Sequence, residues 1–183
     1  AAAPEETAAP SEASSTKLDW KAQKEEQARL RKKENELKKE YLRSYTPAVS
    51  AARRIEEEIE QLRADKMAPA LVMDDMPHAH DQKDLSDYAA KLDELERKLI
   101  KARYERIDLY ADIFADIERL EDETEKAVLT YRYLRRQSWE EVCVKLGYQW
   151  AQVHRIHARA LKHFNPTGGY YEILIKKMKD DTQ

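Results

Sequence analysis

Seven side chains between positions 149 and 162 are of types and at spacings that could do chemistry: Gln149, Trp150, Gln152, His154, Arg155, Arg159 and Lys162. Gln and Arg carry forked hydrogen-bonding groups that match nucleobase edges, Lys offers charge to phosphate, and Trp can lie against sugar or a thymine methyl. On a helix, Arg155, Arg159 and Lys162 follow at steps of four and three and share a face. That chemistry is recognition of a polyanion.

Other groups offer less. His78, His80 and Asp81 could present two imidazoles and a carboxylate to a metal, but they lie in a segment without periodicity and lack a clear fourth ligand. No metal site is expected there. Glu140 and Glu141 resemble a carboxylate pair, yet Glu141 stands three residues after Ser138 in the S-x-x-E order of a capping box. The lone Cys143 cannot form an internal disulfide and reads as a small buried hydrophobe, and His157 reads as a core or boundary histidine. There is no G-x-x-x-x-G-K-[ST] run and no catalytic constellation. The reading is therefore of a non-enzyme that needs no cofactor.

The elements that must position the seven residues are helical. The 183 residues include 3 Gly and 2 Phe, against a composition rich in helix-forming Ala, Glu, Lys, Leu and Arg, so an all-α chain is expected. Residues 1–16 are Ala, Pro, Ser, Thr and Glu with almost nothing to bury, and read as a disordered lead. Residues 17–39 read as a charged, solvated helix or an appended segment. Tyr41, Tyr45, Ala48, Ala52, Ile55, Ile59 and Leu62 step alternately by four and three, a heptad seam. Pro47 either sits in the first turn of that helix or marks a break before it.

The seam resumes at Leu85, Tyr88, Leu92, Leu95, Leu99, Ala102, Arg106, Leu109 and Ile113, after a proline-containing loop at 67–83. Residues 40–122 therefore predict a long, coiled-coil-like helical hairpin, or one half of a pairing with a second chain. Beyond it, residues 125–135 predict a short helix offering Val128, Leu129, Tyr131, Tyr133 and Leu134 to a core. Ser138 caps the next helix, with Val142, Val144 and Leu146 as its apolar contacts, and Gly147 ends it through a positive φ. Tyr148 plugs the turn. Gln149 or Trp150 then opens a last helix with Val153, Ile156, Ala160, Leu161 and Phe164 on one side. Residues 123–165 thus predict a C-terminal helix-turn-helix, followed by an amphipathic tail, 166–183, with no assigned place.

Charge follows the same division. Residues 83–124 hold 8 Lys/Arg and 13 Asp/Glu, whereas residues 125–165 hold 8 and 3, within a chain whose net charge is -3. A basic module beside an acidic one suits a polyanion ligand. No apolar run approaches the ~20 residues of a membrane span, and no basic-then-apolar leader opens the sequence. A cytoplasmic protein without membrane contact is expected.

"EKAVLTYRYLRRQSWEEVCVKLGYQWAQVHRIHARALKHF" resembles the fourth conserved region of sigma-70-type factors, with "SWEEVCVKLGY" and "RALK" carrying most of the likeness. More broadly, residues 40–165 are similar to small phage and prophage proteins of Firmicutes described as sigma-like or RinA/ArpU-type transcriptional regulators. The resemblance implies a regulator of phage genes with double-stranded DNA as its partner, and with RNA polymerase and a second copy of the chain as further candidates. Trp150 and His157 depart from the sigma pattern. Residues 17–39 resemble the linker and coiled coil near the C-terminus of ABC-F ATPases, without their nucleotide motifs. Two rival readings stand beside DNA binding: a coiled-coil scaffold, and an RNA- or ribosome-associated protein.

Overall fold

The computed structural model describes residues 12–67 and 81–180, and every regular element among them is helical. The first eleven residues, His78, His80 and the loop between 68 and 80 lie outside them. Helix α1 spans Glu12–Arg43, α2 Tyr45–Met67, α3 Asp81–Glu118, α4 Glu123–Leu129, α5 Trp139–Leu146, α6 Trp150–His163 and α7 Gly169–Asp180. A π-helical turn, Thr130–Leu134, continues α4.

The chain forms two units, residues 1–37 and residues 38–183. In the first, α1 begins at Glu12, inside the stretch expected to be a disordered lead. Ala and Glu extend a helix at little cost once the following residues are helical. From Trp20 to Glu34 every side chain is exposed, and Lys24 Nζ lies 5.0 Å from the Trp20 ring centroid. This is the solvated helix that its charge density implies.

The second unit opens with the last turn of α1 and a bend. Pro47 has no N–H for the Arg43 carbonyl and its ring would meet that oxygen, so α1 cannot run on into α2. Ser44 fills the break, its N–H bonding the Glu40 carbonyl at 3.0 Å and its hydroxyl the Tyr41 carbonyl at 2.6 Å. Both alternatives for Pro47 hold: it lies in the first turn of α2 and it ends the helix before it.

Helix α2 packs on α3 through Ala52, Ile59, Leu95 and Leu99, flanked by Ile55, Leu62, Leu92 and Ala102. Each fully buried Leu or Ile is worth about 1.5–3 kcal/mol. Arg103 Nη2 meets Glu56 at 2.7 Å and Arg63 Nη2 meets Glu96 at 3.0 Å, so numbers rise along α2 as they fall along α3. The two helices are antiparallel. Leu85, expected in the seam, is exposed.

The end of α3 meets α1 and the tail. Tyr41 is fully buried, stacked on Phe164 at 6.3 Å and edge-on to Tyr171 at 5.5 Å. Its hydroxyl donates to Asp116 at 2.9 Å, and the buried Asp116 also accepts from the Thr167 backbone N–H and hydroxyl, the Gly168 N–H and Arg119. Burial first, and then the Asp116 carboxylate, raise the Tyr41 pKa well above the ordinary phenol value. A Cβ at Gly168 would collide with the Tyr41 hydroxyl, so only glycine lets the chain pass there. Helix α7, the tail without an assigned place, comes next in the chain and buries Tyr171 and Leu174.

Candidate nucleic-acid interface

Three short elements build the site. Asp122 caps α4, its carboxylate accepting from the backbone N–H groups of Thr124 and Glu125. The Thr124 hydroxyl and N–H hold the Asp122 carboxyl below its ordinary pKa, with the Arg159 charge adding to them. In the π turn, the Arg135 N–H reaches back to the Thr130 carbonyl at 2.9 Å. Arg136 then takes a φ of 56°, the left-handed region that an arginine seldom occupies.

Helix α5 begins with the reciprocal cap that the sequence implies. The Ser138 hydroxyl accepts from the Glu141 N–H at 3.2 Å, and the Glu141 carboxylate accepts from the Ser138 N–H at 2.7 Å. Gly147 ends the helix at φ 68°. Val142 is buried against Val128, Val153 and Ile156, with Tyr131, Trp139, Cys143, Leu146 and Tyr148 around them. Two expectations fail here. Val144 is 83% exposed and Cys143 is half-buried, because an eight-residue helix turned on Val142 has room for one inward stripe and these two lie to its side.

Helix α6 buries Val153, Ile156, His157, Ala160 and Leu161. Its opposite face carries Ala151, Arg155, Ala158 and Lys162 in turn, all exposed. Gln149 and Gln152 are exposed beside the turn, and Arg155 is braced by its Nε donating to the Ala151 carbonyl at 3.3 Å. The helix contains no carboxylate. Its outward surface alternates small residues with cations.

Three of the seven predicted residues make side-chain contacts within the fold. Arg159 does not join Arg155: its guanidinium turns back to Asp122 at 2.6 Å and to the buried carboxylate of Glu125, which also meets His163 Nδ1 at 2.9 Å. A carboxylate 1% exposed demands cationic partners, and Arg159 and His163 both meet it. Trp150 is 50% exposed, its ring 4.8 Å from that of His154. His154 is half-buried, with Trp139 on its other side at 4.5 Å, and its Nε2 is buried without a hydrogen-bond partner. Arg132 lies over Trp139 at 4.8 Å, completing a run from Trp150 through His154 and Trp139 to Arg132. His157 is buried as expected, 3.0 Å from the Tyr133 hydroxyl.

Sequence reasoning missed Glu125, Arg132 and Trp139. A signal existed for the first: Glu125 is the acid in residues 125–165 that lies outside the α5 cap, three and four residues before Val128 and Leu129. Among the described residues no group of three His, Cys, Asp or Glu side chains could hold a metal ion, and no helix is long and apolar enough to cross a membrane.

No protein-family model, curated protein or solved structure matches the chain.

Proposed function

We propose that this chain is a DNA-binding transcriptional regulator in which α5, the Gly147 turn and α6 act as a helix-turn-helix, with α6 entering the major groove. The observation that carries the reading is the outward face of α6, where exposed Arg155 and Lys162 alternate with small, exposed Ala151 and Ala158 on a helix without a carboxylate. Small residues let the helix approach base edges, and Arg155 reaches from among them. Gln149 and Gln152 stand at the end of the helix that such modules insert first. The likeness of "SWEEVCVKLGY" and "RALK" to sigma region 4 supports the regulatory role, phage or prophage genes as its target, and RNA polymerase as a further partner.

Selection from a random duplex pool with the full chain tests this directly. One sequence should be enriched and bound at least ~10³-fold more tightly than scrambled duplex. Arg155→Ala should cost about 1–3 kcal/mol and relax preference at one base. Lack of enrichment, or a Gln152/Arg155/Lys162 triple alanine variant with wild-type affinity and preference, would overturn the reading.

The second copy of the chain is proposed as a partner through α3. Ile100, Tyr104 and Ile107 are exposed on it at steps of four and three, half of a seam. A copy related by a twofold axis presents the same stripe, and paired half-sites are what a dimeric helix-turn-helix protein reads. The same stripe is what favours the scaffold as a second reading.

A further inference from the structure

A cavity of about 390 Å³ lies on the flank of α6 away from Arg159, and Lys39, Arg43, Arg132, Arg136, Trp139 and His154 line it with Tyr133, His157 and Thr46. We propose that it is a binding site for a phosphate group, presented either by a free phosphorylated small molecule or by the DNA backbone. The free-phosphate arm stands independently of the groove reading; the DNA arm rests on it.

Four cationic side chains reach the cavity in two pairs. Lys39 and Arg43 are four apart at the end of α1, and Arg132 and Arg136 are four apart across the π turn. Like charges at that spacing repel, and Arg132 and Arg136 converge with Arg43 on one space with no carboxylate among the lining residues. The concentration of charge is visible in its neighbour. Burial and then the charges of Lys39, His154, Arg132 and Arg43 push the His157 imidazole down to about 4.

The geometry suits an oxyanion with more than one charge. Arginine forks bond phosphate oxygens in pairs, and three of the four cations are arginines. Arg43 and Arg136 are exposed, which leaves a way in. Arg136 also holds its left-handed φ of 56°, a backbone cost of the kind that accumulates where a side chain must be aimed. Arg132 is fixed from behind, its Nη1 donating to the Gln137 carbonyl at 2.7 Å while its plane covers Trp139. His154 brings an imidazole whose Nε2 has no partner.

The test uses the full chain and the imidazole resonances of His154 and His157. Inorganic pyrophosphate is titrated against sodium chloride at matched ionic strength, and separately a duplex is added. The comparison is Arg43→Gln/Arg136→Gly, in which glycine removes the cation and relaxes the positive φ, so fold is retained and checked by circular dichroism. A saturable shift with pyrophosphate, weakened at least tenfold in the double variant, supports a site for free phosphate. A shift with duplex alone, and a slope of log affinity against log salt shallower by about 0.9 in the double variant, supports a backbone phosphate. No saturable shift with either ligand, or shifts of equal affinity in wild type and double variant, overturns the proposal. Failure of duplex binding with a retained pyrophosphate response would sink the groove reading and leave this one standing.

Discussion

Arg159 on α6 and Glu125 on α4, 34 positions apart, form an ion pair in which the carboxylate is 1% exposed and the guanidinium is half exposed. The contact ties the two helices together beside their shared apolar core and turns toward α4 a guanidinium that helical spacing placed with Arg155. Because the carboxylate is the buried partner, losing the arginine costs more than losing an exposed pair would.

Arg159→Ala removes the main cation beside that carboxylate, leaving His163 alone to face it. The thermal midpoint should fall clearly, while base preference at the selected site stays as in the wild type. Arg155→Ala should do the reverse, keeping the midpoint and losing preference. Matching midpoints for the two variants would show that the Arg159 pair holds nothing together.

At Gly147 the φ of 68° is costly for any residue with a Cβ, although no atom lies within 4 Å of where that Cβ would stand. Strain alone should act, so Gly147→Ala is expected to cost about 1–2 kcal/mol in denaturant unfolding. Gly147→Asn should cost less, because its side chain tolerates the left-handed region. A neutral alanine variant would mean that the turn can re-form with negative φ.

Asp116 ties the tail to the bundle, accepting from Thr167 and Gly168 as well as Tyr41. Its replacement by alanine leaves the buried Tyr41 hydroxyl unpaired, at a cost of about 1–3 kcal/mol for that group alone. Hydrogen exchange should then accelerate in α7, Gly169–Asp180, before it does so in α2 or α3. Unchanged protection of α7 would place its anchorage in Tyr171 and Leu174 instead.

The His157 imidazole is held at about 4, against an ordinary value of 6.5, by burial and the neighbouring cations. Between those values the unfolded chain takes up the proton and the folded chain does not, so stability rises with pH. This contribution is fully present above 6.5 and is lost as pH falls toward 4, up to about 3 kcal/mol in all. His157→Gln, which can still accept from Tyr133, should flatten the difference between unfolding free energies measured at pH 7 and pH 4.5. Parallel pH profiles for the two proteins would contradict the assignment.

Self-association should run through α3. Equilibrium sedimentation of the wild type is expected to show a dimer that Ile107→Asp converts to monomer without loss of midpoint, since Ile107 is exposed. Ile59→Asp should instead destabilise the chain, because Ile59 is buried between α2 and α3. A wild type that stays monomeric at high micromolar concentration would remove the second copy as a partner.

The sequence by itself determined what depends on neighbours within a few residues. Spacings of three and four placed Ala52, Ile59, Leu95 and Leu99 in one seam, Ser138 and Glu141 announced a reciprocal cap, and Gly147 a left-handed turn. Each is a local matter of periodicity, orphan backbone groups or φ, and each was legible. What the tertiary structure alone decided involves side chains brought together from distant positions. Helical spacing gave Arg159 a face but could not show that Glu125 waits on a neighbouring helix, and Leu85 fitted the heptad yet is exposed. Asp116 and Gly168 look ordinary in sequence, yet one accepts the hydrogen bonds that seat the tail and the other clears the space for Tyr41. The same holds for the cavity, whose arginines come from the end of α1, the π turn and the loop after it, because the field that such charges make together depends on the distances that packing sets between them.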